Sequence, residues 1–252
     1  MSGSMSYEII FIGNVELRFD DNPLSGKRFP AVLEERVNQI WESFQAENGG
    51  KLFNDKLFCF AGSDICGSTM EIRGVLTEYK NFIAQRKQPH LNLDIKPVGV
   101  SGITLCTENG IKYAVFARRA ESVTEYPGFL ELVPSGSING EFVDTAGVIE
   151  YKAQLALELF EETGITGSFV KGVQDFAFIL DGNHSVYDIC CEIELSIDID
   201  SVLKKISGSE EYHEPIFVPV DELQSYIKGD RGSIIPTSRA LIEAYFNYKN
   251  RF

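Results

Sequence analysis

The sequence of 252 residues predicts an α+β fold of the α/β/α sandwich class, in which a mixed sheet carries helices. Asn109-Gly110 stands between two apolar, strand-like runs and is a strong signal for a β-hairpin turn. An amphipathic helical pattern over 148–163 ends at Gly164, and further strand-like runs follow it. A hairpin, a helix and later strands in this order indicate a mixed sheet with helices packed on it.

The N-terminal third is predicted to contain short strands and two helices. Its first helix starts at Pro30 and keeps apolar residues at helical spacing until Asn48-Gly49-Gly50 ends it. Strands are expected over 8–13, 15–19, 52–53, 57–60 and 69–75, and the second helix over 76–86. Because these strands are too few and too short to enclose a core alone, we expect this part to pack beside the main sheet.

A polar stretch that contains Pro89, over 85–92, is the best candidate for a boundary. It divides the chain into an N-terminal α/β extension (6–92) and a larger domain (93–252). Strands of the larger domain are expected over 98–105, 112–119, 129–133, 176–180, 186–197 and 216–218, and helices over 148–163, 220–227 and 237–248. Residues 1–5 are interpreted as a cloning remnant, with Met5 as the natural start.

Charge and composition exclude several classes of partner. The chain has 23 basic and 37 acidic side chains, a net charge of −14, which repels nucleic-acid phosphates and anionic membranes. No apolar run approaches the roughly 18–20 residues of a membrane span, and no signal peptide is recognised. The five cysteines lack a C-x-x-C spacing, so we interpret them as reduced thiols of a cytoplasmic protein.

One predicted helix carries three clustered carboxylates, Glu158, Glu161 and Glu162, within roughly 100° of one face. The opposite face is expected to bury an apolar stripe made of Ile149, Ala153, Ala156 and Phe160. Clustered carboxylates repel one another, so Mg²⁺ or Mn²⁺ is the expected cofactor; either ion takes oxygen ligands and also binds phosphate. The alternative is a solvated acidic face without a ligand.

The same helix resembles the second half of the Nudix box, G-x5-E-x7-R-E-U-x-E-E-x-G-U, in which U is a bulky aliphatic residue. The matching residues are Glu158, Leu159, Glu161, Glu162, Gly164 and Ile165. Upstream, the strand that runs through Leu132 into Pro134 and Gly136 resembles the segment that leads into the box. Leu157 replaces the arginine that normally orients the box glutamates, and the segment 137–148 is longer than the standard loop.

Beyond the box, the chain resembles an atypical Nudix subfamily, the animal and plant UDP-glucose and UDP-galactose hydrolases, which have an extra N-terminal region and a degenerate box. The matching segments follow in the right order at 40–42, 52–58, 74–82, 97–100, 116–119 and 212–214. This resemblance implies metal-dependent hydrolysis of a UDP-sugar to UMP and a sugar 1-phosphate. A nucleotide-sugar is then the partner, and the resemblance is compatible with a homodimer.

The resemblance also implies roles for single residues. Glu158, Glu161 and Glu162 would bind the metal, and Glu161, Glu162 and Glu214 are the candidate catalytic groups. Glu214 is expected in a loop over the metal site, unless 210–214 is only a charged surface loop. Substrate contacts are expected from Arg118, Arg119, Tyr126, Gly136 and His213. Since side chains alternate along a strand, one of the two arginines should face the site, and Tyr126 could stack on uracil.

Two other functions stay open at this point. The first keeps the same chemistry with another substrate, ADP-ribose or a different nucleoside diphosphate derivative. The second is a binding or regulatory module with the Nudix fold that has lost catalysis, which the missing arginine at Leu157 suggests. Retention of three crowded carboxylates argues against the second, because they cost stability without a cation.

Overall fold

Two sheets form the scaffold of this computed structural model, which describes residues 7–19, 27–50, 52–123, 125–229 and 233–251. The interpreted cloning remnant, 1–5, lies outside the described residues. The strands are β1 (Tyr7–Ile12), β2 (Asn14–Phe19), β3 (Lys56–Cys66), β4 (Thr69–Glu78), β5 (Val98–Glu108), β6 (Ile111–Arg119), β7 (Leu130–Leu132), β8 (Ser135–Ser137), β9 (Val148–Ile149), β10 (Val170–Asp181), β11 (Val186–Leu195) and β12 (Tyr212–Pro219). The helices are α1 (Ala31–Glu47), α2 (Tyr79–Lys87), α3 (Tyr151–Thr163), α4 (Ile199–Ile206), α5 (Leu223–Gly229) and α6 (Pro236–Lys249).

The larger sheet has, within the described residues, eight strands in the order β1-β10-β11-β5-β6-β12, with β7 added to β6 and β8 to β5. The sheet is mixed, since β11 and β5 run parallel while the other neighbours are antiparallel. Leu155 and Leu159 of α3 and Val202 of α4 pack on one face. Leu241 of α6 and Leu223 of α5 pack on the other. The predicted α+β class, an α/β/α sandwich around a mixed sheet, is therefore confirmed.

The smaller sheet has the order β3-β4-β2-β9 among the described strands, and its helices α1 and α2 enclose a third apolar cluster. The two parts of the chain exchange strands: β1 joins the larger sheet beside β10, whereas β9 pairs with β2 in the smaller one. Tyr187 of β11 stacks on both Phe60 and Phe178, with ring centroids 4.6 and 5.1 Å away, and these two rings also contact each other. The division at 6–92 and 93–252 stays a prediction.

Most predicted elements are present, and their ends differ for physical reasons. Residues 148–149 are strand, not helix, because Gly147 turns the chain at φ 80° and Ile149 then pairs with Leu17 of β2. Residues 76–78 continue β4, so α2 starts later than expected, and 52–53 are not strand. The sequence reading missed α4, whose first turn is capped by the Asp198 side chain.

Helix α3 buries a different face from the predicted one. Leu155 and Leu159 are inaccessible to solvent, whereas Phe160 is 50% exposed. Two leucines bury more apolar area than Ala153 and Ala156 of the predicted stripe. The helix is therefore rotated so that the leucines face the core. Glu162 is one turn beyond Leu159, so the rotation carries this carboxylate into the protein.

The described chain has no helix of the length and apolarity needed to cross a bilayer. All five cysteines are free thiols; Cys66 is exposed and the others are buried.

Candidate active site

Strand β8 and helix α3 place a glycine directly against the first helix glutamate. A Cβ atom at Gly136 would lie 2.2 Å from Cδ of Glu158, so a side chain fits only if Glu158 moves. The Glu158 carboxylate accepts a hydrogen bond of 2.8 Å from Nε2 of Gln154. Burial raises its pKa, and the charges of Glu161 and Glu211 raise it further, whereas the bond from Gln154 acts in the opposite direction.

Glu162 is the most deeply buried of the three helix glutamates, with 5% of its surface exposed. Its carboxylate accepts a long hydrogen bond from the backbone N–H of Ser135, at 3.3 Å from Oε2 and 3.4 Å from Oε1. Burial raises the pKa of Glu162 well above its ordinary value, and three further carboxylates add to this effect: Glu131, Glu158 and Glu211. An ionised Glu162 therefore faces mainly negative charge, which makes its ionised form unfavourable.

Glu161 differs from its two neighbours because it is exposed on the outer side of α3. Within the described part of the chain, no group of three or more histidine, cysteine, aspartate or glutamate side chains is arranged to hold a metal ion. The ligand set Glu158, Glu161 and Glu162 therefore stays a prediction. The donor chemistry nevertheless fits a hard divalent cation, since Glu158 and Glu162 are crowded carboxylates with raised pKa values.

A buried ion pair lies beside Glu162. Glu131 of β7 is 4% exposed, pairs with Nη1 of Arg119 and accepts a hydrogen bond of 2.6 Å from the Tyr212 hydroxyl. Burial lowers the pKa of Arg119, but the negative charge of Glu131 outweighs this effect, so the guanidinium stays charged. Glu162 also raises the pKa of Arg119, which shows that this cation is within electrostatic reach of the helix carboxylates.

The neighbouring Arg118 points to the other side of β6, as alternation along a strand requires. Its Nε donates to Oε2 of Glu214 at 2.7 Å, and its Nη1 donates to the carbonyl of Gly128 at 2.8 Å. Of the two arginines, Arg119 is therefore the one beside the carboxylates of α3. The expected loop position of Glu214 is wrong, because the residue lies in β12, at a bulge that follows His213.

Glu214 is exposed and has a positive φ of 47°. Arg118 lowers its pKa, and the carboxylate from this segment that acts on Glu158 and Glu162 is Glu211 instead. The catalytic role of Glu214 and the substrate contact of His213, which is also exposed, stay predictions.

Tyr126, the predicted stacking residue, is half-buried and has a φ of 49°. Its ring meets Phe129 edge-on, with the centroids 5.6 Å apart. Burial and the charge of Glu125 raise the pKa of its hydroxyl. An aromatic surface thus exists next to β7, and stacking on uracil stays a prediction.

The sequence reading missed Glu131, Glu211, Ser135 and Gln154 as parts of this site. Glu131 carried a usable signal: it is the single charge in a short apolar strand, and a buried charge is nearly always paired. The others carried none, because an exposed glutamate, a serine after a proline and a helical glutamine are common in any sequence.

Comparisons with known proteins leave the family undecided. No protein-family model matches the chain, and no curated protein matches it. Solved structures do match. The Deinococcus radiodurans protein DR0079 is 12% identical, with a TM-score of 0.43 over 59% of this chain and 82% of that one.

Two further structures are named as Nudix proteins. The Nudix domain of Shewanella oneidensis NrtR, complexed with ADP ribose, is 14% identical, with a TM-score of 0.39 over 60% of this chain and 87% of that one. A MutT/Nudix family protein from Listeria innocua is 14% identical, with a TM-score of 0.38 over 61% of this chain and 94% of that one. At these values, the similarities assign neither a substrate nor an activity to this chain.

Proposed function

We propose that the protein is a Nudix-type hydrolase that uses Mg²⁺ or Mn²⁺ to cleave the pyrophosphate of a UDP-sugar. The products would be UMP and a sugar 1-phosphate. The observation that carries this proposal is Glu162, which is buried beside three other carboxylates with a raised pKa. Such a cluster costs folding free energy unless a cation compensates it, and a divalent cation bound to carboxylates is what pyrophosphate hydrolysis requires.

Glu158 and Glu162 would hold the cation, with Glu161 as a further ligand if its side chain turns inward. When bound, a divalent cation neutralises phosphate charge and lowers the pKa of a water molecule. Gly136 leaves room for the Glu158 carboxylate. Arg119, fixed by Glu131 and Tyr212, would present its charge to a phosphate oxygen.

Three glutamates are candidates for the group that takes the proton of the attacking water. Glu161 and Glu214 are candidates from the resemblance, and Glu211 joins them because its charge acts on both Glu158 and Glu162. Arg118, His213 and Tyr126 are proposed to contact the nucleotide-sugar. We propose UDP-sugars over ADP-ribose because the sequence segments outside the box resemble the UDP-glucose and UDP-galactose hydrolases.

The test is a substrate panel with the full chain and Mg²⁺: UDP-glucose, UDP-galactose, ADP-ribose, ADP-glucose and nucleoside triphosphates. Glu162→Gln and EDTA are the negative controls. Glu243→Gln, an exposed glutamate of α6 on the other side of the sheet, is the matched control. We expect UMP release from the UDP-sugars alone, lost in Glu162→Gln and with EDTA, and retained in Glu243→Gln.

Other outcomes separate the alternatives. Turnover of ADP-ribose instead would keep the chemistry and replace the substrate. No turnover at all, with a UDP-sugar still raising the melting temperature, would contradict an enzyme and indicate a binding module.

A further inference from the structure

A chain of polar groups runs across the larger sheet and ends at Glu162. Oγ of Ser101 in β5 lies 2.8 Å from Oδ1 of Asp188 in β11. The same Oγ lies 3.3 Å from Oγ of Ser135 in β8. The backbone N–H of Ser135 then donates to the carboxylate of Glu162 at 3.3 Å. Three strands and helix α3 are thus connected through side chains as well as through the sheet.

The register of the strands brings these groups together. Ser101 is directly opposite Ser135 in the antiparallel pair of β5 and β8. On its other side, β5 runs parallel to β11, where Asp188 is opposite Gly99. A Cβ atom at Gly99 would lie 3.0 Å from Oδ1 of Asp188 and 3.1 Å from the carbonyl oxygen of Gly136. The absence of a side chain at Gly99 therefore leaves room for the Asp188 carboxyl group.

The direction of the hydrogen bonds follows from the number of protons. A serine hydroxyl has one proton to donate. When Asp188 is ionised, Ser101 donates to it, so the contact between the two hydroxyls is a bond from Ser135 to Ser101. Asp188 thereby fixes the Ser135 hydroxyl two links away.

The ionised form of Asp188 is energetically unfavourable at this buried position. Burial raises its pKa to about 7, the Ser101 hydroxyl opposes this effect, and the charges of Glu131 and Asp181 reinforce it. Neighbouring positions of the same strand are apolar or thiol side chains, such as Ile189 and Cys190. An apolar side chain here could not accept the hydrogen bond from Ser101.

We propose that Asp188 is a positioning residue for the cation site: through Ser101 and Ser135 it fixes strand β8 against helix α3. β8 in turn holds both proposed ligands, since Ser135 donates to Glu162 and Gly136 lies against Glu158. This inference rests on the proposed function, because it needs a cation at Glu158 and Glu162. Groups that orient metal ligands from behind commonly change metal affinity when they are removed.

The test measures Mn²⁺ binding to the full chain without nucleotide, by the electron paramagnetic resonance signal of free Mn²⁺. Asp188→Ala and Ser101→Ala each interrupt the chain, whereas Asp188→Asn keeps an acceptor oxygen for Ser101. Thr77→Val is the matched control, since it removes a buried hydroxyl that accepts a 2.8 Å hydrogen bond from Asn81 in the N-terminal part. Thermal denaturation checks that each variant is folded, and Ser101→Ala carries the test if Asp188→Ala does not fold.

We expect Asp188→Ala and Ser101→Ala to weaken Mn²⁺ binding about 10-fold, with Asp188→Asn and Thr77→Val within about two-fold of the wild type. Binding that is unchanged in Ser101→Ala but lost in Glu162→Gln would overturn the positioning role and leave the proposed function intact. Equal losses in Asp188→Asn and Asp188→Ala would also overturn it, since the charge and not the hydrogen bond would then matter. A wild type that does not bind Mn²⁺ would overturn the proposed function and this inference together.

Discussion

A carboxyl group that is buried among other carboxyl groups resists ionisation, and its ionised form lowers the stability of the folded protein. Glu162 is such a group, and its pKa in the folded chain is raised well above 4.5. Between 4.5 and that raised value, the folded protein binds more protons than the unfolded one. Without a divalent cation, stability should therefore fall as pH rises through this window.

Glu162→Gln should remove this part of the pH dependence. In EDTA, we expect the variant to be more stable than the wild type at neutral pH, because it has no buried carboxyl group to ionise at this position. Urea denaturation over a pH series measures the difference. Because Glu158 and Asp188 also titrate, the comparison is between the two pH profiles; identical profiles would contradict the burial of Glu162.

A second prediction concerns the substitution of Gly136, which lies against Glu158. An alanine there would place its Cβ 2.2 Å from Cδ of Glu158, so the carboxylate must move. We expect Gly136→Ala to lose most of its metal-dependent hydrolysis while remaining folded.

Gly172→Ala is the control for this substitution. It also adds a methyl group to a strand, but nothing lies within 4 Å of its position. Steady-state rates at several Mg²⁺ concentrations compare the two variants. Equal activity in both would contradict the close contact between β8 and Glu158.

At the scale of the element, helix α3 shows what a sequence pattern can and cannot establish. Its existence, its end at Gly164 and its three glutamates follow from the pattern of the sequence. Its orientation does not, because two competing apolar stripes differ only in how much area each buries in the assembled core. Leu155 and Leu159 face the core, so Glu162 is buried and Phe160 is left half exposed.

This orientation predicts opposite results for two adjacent residues of α3. Leu159→Ala should cost about 2–5 kcal/mol, since it leaves a cavity in the core. Phe160→Ala should cost less than about 1 kcal/mol, because the ring is 50% exposed. Denaturation in guanidinium chloride gives both values. A larger loss of unfolding free energy in Phe160→Ala than in Leu159→Ala would contradict this orientation and favour the buried face predicted from the sequence.

At the scale of the whole molecule, the partners of the carboxylates come from distant parts of the chain. Ser135 of β8 donates to Glu162, and the charges of Glu131 in β7 and of Glu211, which directly precedes β12, act on it, although all three lie far from Glu162 in the sequence. Sequence reasoning found the helix that carries the chemistry, since its residues are local. It could not find residues that meet through the topology of a mixed sheet.

Because the two sheets exchange strands, we expect that the larger domain does not fold without the N-terminal part. A fragment 93–252 would lack β1, which pairs with β10, and Phe60, which stacks on Tyr187. It would expose the edge of β10 and part of the apolar cluster beneath it. We expect this fragment to be insoluble or unfolded, as measured by circular dichroism and size-exclusion chromatography; a soluble, cooperatively melting fragment would show that the larger domain is independent.

The central claim is that the buried carboxylates of α3 form a divalent cation site. The most direct measurement is the melting temperature of the wild type and Glu162→Gln, each with EDTA and with Mg²⁺. The account predicts that Glu162→Gln melts higher in EDTA, and that Mg²⁺ raises the melting temperature of the wild type but not of the variant. No effect of Mg²⁺ on the wild type, or the same effect on both proteins, would contradict it.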